Sequence, residues 1–260
     1  MKKTAMKSAF LAVMVGALGV VPSHAQSEGG LNLSAEVEKK LTRKLSVNGE
    51  AAFRTRNDFK TVDRWSGALG VEYKITKWLK ADAGYSLLYD NNREKIKTDS
   101  YWRPTYWGTR HRLNASLTVD HKFSNNLHLS LRERWQYTYR PEQDTERYYF
   151  DDYPSAAWTG SLDGWETTEK VRKGKGKNQL RSRLQLEYDK KGATLKPYAS
   201  VELYHSPGIE KLRYTAGTSI KLARQHSLDV YYRFQDQRRV DESDYDPDMH
   251  YLGLGYKFKF

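Results

Sequence analysis

The chain has 260 residues, 38% of them hydrophobic and 29% charged, with no cysteine, and its 44 Lys and Arg outnumber 32 Asp and Glu for a formal net charge of +12. No disulfide or thiolate metal site is therefore available, and beyond the first residues no apolar run approaches the roughly 20 residues of a membrane helix, which excludes a helical membrane protein. The basic balance admits a nucleic-acid partner, since clustered Lys and Arg neutralise phosphates, but the opening segment argues for export and so for no nucleic acid.

That segment, residues 1–25, reads as a secretory signal peptide. Lys2, Lys3 and Lys7 precede an apolar stretch from Ala9 to Val21, and Ser23-His24-Ala25 supplies small residues for cleavage. No Cys follows, so a lipid-anchored lipoprotein is excluded. Residues 26–260 then form one domain.

Along it, apolar and polar side chains alternate with period two, which puts one set on each face of a strand. Strands are expected at 31–41, 45–55, 62–75, 78–89, 111–123, 127–139, 180–188 and 195–205. Three more follow, through Leu212 to Leu222, Leu228 to Phe234 and Leu252 to Phe260. In 111–123, Leu113, Ala115, Leu117 and Val119 alternate with Arg112, Asn114, Ser116 and Thr118. Helical spacing is absent.

Short polar turns, such as Thr42 to Lys44, Thr76-Lys77 and Ser124 to Asn126, interleave with connections that are mostly longer, at Asp90 to Arg110, Arg140 to Gln179 and Gln237 to Asp248. Outer-membrane barrels connect their strands in this way. The expected fold is thus all-β, an antiparallel transmembrane β-barrel of about 10 to 12 strands. Roughly eleven segments are visible, whereas bacterial barrels usually count even. Either 45–55 opens a ten-stranded barrel, or a strand is still hidden, with Arg140 to Gln179 the place to look. Tyr256-Lys257-Phe258-Lys259-Phe260 resembles the terminal signal read by the barrel assembly machinery.

Over its mature length the chain resembles the small outer-membrane β-barrels of Bacteroidota that form a domain family of unknown function. The resemblance rests on Ala35-Glu36-Val37-Glu38-Lys39-Lys40-Leu41, Phe53-Arg54-Thr55-Arg56, Asp63-Arg64-Trp65 and Lys80-Ala81-Asp82-Ala83-Gly84-Tyr85. It implies a fold and a location in the cell outer membrane of a Gram-negative bacterium, and no active site.

The polar set of each strand, assigned to the lumen, brings in Arg54, Arg64, Arg112, Arg132, Arg134, Arg181, Arg183, Arg213 and Arg233. Glu36, Glu38, Glu50, Glu72, Asp82, Asp120, Glu187, Glu202 and Asp229 join them. These charges either pair across strands into a plugged, salt-bridged interior or line a narrow porin-like channel for small anionic solutes. In the channel, Arg112, Arg132, Arg134, Arg181, Arg183 and Arg233 are the selectivity candidates; in the plugged case the protein is a structural surface barrel. A lipid- or peptide-modifying barrel enzyme is the alternative, with His111, His205 beside Ser206, and His250 near Asp248 at the rim. No catalytic set, metal or cofactor is assigned. The loop Arg140 to Gln179 carries Tyr149, Trp158, Trp165, Arg172 and Lys173 as a gate or as surface contacts for outer-membrane lipid and lipopolysaccharide. Trp65, Trp78 and Trp135 are expected in an interfacial girdle.

Overall fold

The computed structural model describes residues 27–97, 101–150, 165–238 and 247–260. The expected signal peptide and Trp158 lie outside the described residues. The strands are β1 (Ser27–Lys40), β2 (Leu45–Arg56), β3 (Thr61–Lys74), β4 (Leu79–Asn92), β5 (Lys95–Lys97), β6 (Tyr101–Arg103), β7 (Tyr106–Lys122), β8 (Leu127–Arg140), β9 (Gln143–Phe150), β10 (Trp165–Arg172), β11 (Lys175–Tyr188), β12 (Leu195–His205), β13 (Ile209–Lys221), β14 (His226–Gln237) and β15 (Asp248–Lys259). All eleven expected segments are strands, most extended by a few residues toward the long connections.

Eleven strands close into a barrel in the order β1-β15-β14-β13-β12-β11-β8-β7-β4-β3-β2. Short turns set the register at one end, and a threonine does the same work twice. Thr42 Oγ1 accepts from the amides of Lys44 (3.1 Å) and Leu45 (2.9 Å), and Thr76 Oγ1 from those of Trp78 (3.2 Å) and Leu79 (3.0 Å). At Asn126 the backbone is left-handed (φ 68°), a conformation that Asn tolerates.

The odd count needs no hidden partner, and both parity expectations are corrected. Eleven strands alternating in direction make ten reversals and leave the first and last running the same way, so β1 and β15 pair parallel from Ser27↔Asp248 to Glu38↔Lys259. Parallel ladders use evenly spaced, slanted hydrogen bonds and satisfy both edges, which is what closure in hydrocarbon demands. Side chains reinforce this seam. Lys257 on β15 meets Glu36 (2.6 Å) and Glu38 (3.0 Å) on β1, and Lys259 also meets Glu38 (3.0 Å). Tyr231 on β14 lays its ring across Gly253 on β15, and its hydroxyl accepts from Asn32 Nδ2 on β1. A Cβ at 253 would fall inside that ring, so glycine is required there.

The long connections are not loops without strands, a second correction. β5, β6, β9 and β10 form a separate four-stranded sheet, ordered β10-β9-β6-β5, at the end opposite the short turns. The strand sought within Arg140 to Gln179 is therefore a hairpin, β9 with β10, standing outside the ring.

The outer wall is apolar. Leu69, Leu117, Leu180, Val230, Leu252 and Leu254 are exposed on it. A closed belt of this kind is stable in lipid and not in water. Trp78 is exposed at the short-turn end, while Trp65 and Trp135 are exposed eight or nine residues up their strands. At ~3.3 Å per residue and a tilt near 40° those two levels lie about 22 Å apart, close to the height of a barrel's apolar band. Glu133 interrupts the belt, its carboxylate accepting from Ser182 Oγ on the neighbouring strand (2.7 Å).

Candidate functional site

Alternation turns the second set of side chains inward, and they line a continuous cavity of about 1480 Å³. Its lining runs from Ser227, Glu187, His128 and Lys257 at the short-turn end to Arg140, Arg172 and Lys175 at the long-loop end. Spread over a strand length of ~30 Å, this volume corresponds to a cavity averaging roughly 8 Å across.

The ion pairs of the interior run along the wall. Neighbouring strands are joined by Arg54–Asp63, Arg64–Asp90, Lys80–Asp120 (3.0 Å) and Arg110–Asp90 (3.2 Å), and Arg134 reaches over β7 to Asp82 (3.2 Å). Glu202 is the densest point. Its carboxylate accepts from Arg181 (2.9 Å), Arg132 (3.1 Å) and Arg213 (3.3 Å) and from the Tyr204 hydroxyl (2.8 Å). Arg181 and Arg213 also stack over the Tyr204 ring, at 4.6 and 4.9 Å. Three guanidinium groups thus share one carboxylate.

Others have none. Arg112 donates from Nε to Thr138 Oγ1 (3.3 Å), and Arg233 from Nε to Thr215 Oγ1 (3.3 Å) while lying 4.6 Å over Tyr231. Arg183 Nε is buried without a hydrogen-bond partner. Among the described residues these three lumen arginines meet no carboxylate within ion-pair distance. Toward the short-turn end the deficit reverses. Glu50, Glu72 and Glu187 line the cavity there, and Asp229 is held by the hydroxyls of Tyr198 (2.8 Å) and Ser219 (3.2 Å) rather than by a cation.

All six selectivity candidates, Arg112, Arg132, Arg134, Arg181, Arg183 and Arg233, line this cavity. The loop candidates are scattered. Arg172 lines the cavity at the long-loop end, its guanidinium 5.4 Å from the Tyr106 ring, whereas exposed Lys173 offers its carbonyl to Arg140 Nη2 (3.0 Å). Tyr149 pairs with Glu166 and Trp165 with Phe150 in the β9–β10 hairpin. Of the rim histidines, His111 bonds Tyr85 (2.7 Å) and His250 bonds Tyr232 (2.5 Å), both on the outer wall. Ser206 Oγ donates to the Asn178 carbonyl (2.6 Å), not to His205. Among the described residues no cluster of His, Asp and Glu is arranged to hold a metal ion.

Sequence reading missed the inward tyrosines. Tyr198, Tyr204 and Tyr251 are not in the expected lumen set, yet they line the lumen, where Arg54 lies 5.5 Å from the Tyr251 ring. A signal existed: Tyr204 stands two residues from Glu202 and therefore shares its face.

Residues 30–246 match the family described as "Protein of unknown function (DUF2490)". No curated protein matches the chain. Among solved structures the chain is similar to the translocator domain of autotransporter NalP from Neisseria meningitidis, with 11% identity and a TM-score of 0.55 over 93% of this chain and 92% of that one. It is also similar to the NanC porin (13% identity, TM-score 0.47, 90% of this chain and 98% of that one). A third is the beta domain of the Bordetella autotransporter Brka (12%, 0.43, 83% and 82%). At such identity the NalP likeness bears on fold alone, and that fold is a transmembrane β-barrel.

Proposed function

The chain belongs to the DUF2490 family, and we propose that it is an integral outer-membrane protein acting without catalysis as a narrow porin-like channel for small anionic solutes. The observation that carries this reading is the unbridged lumen: arginines and carboxylates pair along the wall and leave about 1480 Å³ between them. A low-dielectric wall studded with guanidinium groups concentrates anions inside.

On this reading the long-loop end, with its second sheet, faces outward and the short turns face the periplasm. Export uses the leader at residues 1–25, in a Gram-negative cell such as the Bacteroidota whose barrels the chain resembles. Outer-membrane lipid meets the apolar wall, exposed Lys173 suits the phosphates of lipopolysaccharide, and Arg172, lining the cavity at the long-loop end, suits a gate. The last strand, ending at Phe260, suits the barrel assembly machinery. Histidines hydrogen-bonded to tyrosine on the lipid side favour this reading over a lipid- or peptide-modifying enzyme.

Single-channel recording on the purified barrel in a planar bilayer tests it. Discrete conductance steps with chloride preferred over potassium are expected. A silent bilayer ends the channel reading and leaves a structural surface barrel.

A further inference from the structure

Arg112 and Arg233 stand on opposite walls. Around the ring, β7 and β14 are separated by β8, β11, β12 and β13 on one side and by five strands on the other, with Arg183 on β11 between them. Each of the two opposed arginines spends Nε on a threonine hydroxyl, Thr138 or Thr215, at 3.3 Å. That bond orients the guanidinium and leaves its terminal nitrogens directed at the lumen with no protein acceptor. A planar guanidinium presented in this way matches a carboxylate or phosphate group two-pronged. The Glu202 hub shows the alternative: where this barrel is to neutralise arginines, it supplies an acid within 3.3 Å.

We propose that Arg112, Arg183 and Arg233 form a binding site for small organic dianions midway down the lumen. The site deepens the channel reading and rests on it for the ligand's route. One acid group reaches one wall of a passage roughly 8 Å across; two acid groups on a short chain engage both walls at once. Dicarboxylates and phosphorylated carboxylates share this chemistry. The hydroxyls of Thr138, Thr215 and Ser200 offer hydrogen bonds to whatever polar groups join the two ends.

The test measures block of the potassium chloride current by succinate, by butyrate and by phosphoglycolate, and in parallel the heat of succinate binding to the detergent-solubilised barrel. Succinate and phosphoglycolate are expected to block about tenfold more strongly than butyrate, the scale of one added charged contact. Arg112→Gln with Arg233→Gln is expected to erase that difference, read as the succinate-to-butyrate ratio within the same variant. Equal block by succinate and butyrate in the unmodified protein overturns the site and leaves the channel standing, and this comparison needs no variant to fold. A preference that survives in the double variant also overturns it. Binding heat without conductance retains the site and retires the channel; absence of both retires both. Block by phosphoglycolate alone assigns the site to phosphate and overturns the dicarboxylate half of the proposal.

Discussion

The two halves of the lumen share the same eleven strands and differ in the sign that predominates, since cations such as Lys80, Lys257, Arg132 and Arg183 also stand toward the short turns. Glu36, Glu50, Glu72, Asp82, Asp120, Glu187 and Asp229 all lie within about five residues of the short-turn end of their strands. Arg54, Arg64, Arg112, Arg181, Arg213 and Arg233 lie in the middle or toward the long loops. Parity along a strand decides only whether a side chain enters the interior; its depth is decided by distance from the turn. Charge is therefore sorted by depth, and the passage carries an axial field that an alternation pattern alone does not describe.

The comparison breaks most severely at Glu202, the acid that meets three arginines at once. Glu202→Ala leaves Arg132, Arg181 and Arg213 facing one another, and a loss of about 3 kcal/mol is expected in urea unfolding of the lipid-reconstituted protein. Anion affinity should rise as stability falls, and a variant that lost both would contradict the pairing described. At the border between the halves, Gly253→Ala drives a methyl group into the Tyr231 ring and disturbs Arg233 stacked upon it. About 2 kcal/mol is expected, whereas Gly67→Ala, with open space around it, should leave the melting temperature within error.

A third substitution set sharpens the contrast instead. Glu50→Gln, Glu72→Gln and Glu187→Gln remove the acidic surplus, and each charge acting across ~7 Å of water is worth ~0.6 kcal/mol, or about threefold in the chloride-to-potassium permeability ratio. Reversal potentials in a salt gradient measure this directly. No change would contradict the axial field described.

The smallest effect lies in the turn after β11. Lys196 donates to Asp189 at 2.6 Å and holds its carboxyl below the usual carboxylate range, with Lys122 adding at 3.5 Å. A folded-state value below the unfolded one means that the contribution is complete above about pH 4 and fades as pH falls further. For so exposed a pair it amounts to a few tenths of a kcal/mol. Melting curves taken between pH 5 and pH 2 should show that fraction missing in Asp189→Asn.

The strands were legible because one face meets hydrocarbon, a solvent that permits few exceptions. Leu113, Leu117 and Val119 could hardly be read otherwise. The lumen is more tolerant and takes aromatic rings beside charges, so residue type alone does not mark Tyr204 and Tyr251 as the partners of Arg181 and Arg54. Partnership was likewise invisible: nothing in the composition separates Arg181, bonded to Glu202, from Arg183 two residues on. That distinction arises from which strand lies beside which, as at Arg181↔Tyr204 and Arg183↔Glu202, and from how far a side chain reaches along the wall. The β9–β10 hairpin escaped notice because its alternation, Thr145 to Tyr149, is short and polar on both faces.

Parallel closure has one more consequence. In an even-numbered barrel both chain ends emerge on the same side; with Ser27 beside Asp248 and Lys259 beside Glu38, they emerge on opposite sides. On the proposed orientation the leading end of β1 lies on the outer side, and among the described residues no strand precedes it to form a hairpin with it. An epitope fused ahead of Ser27 would then be stained by antibody on intact cells, while one fused behind Phe260 would be reached only after the envelope is opened.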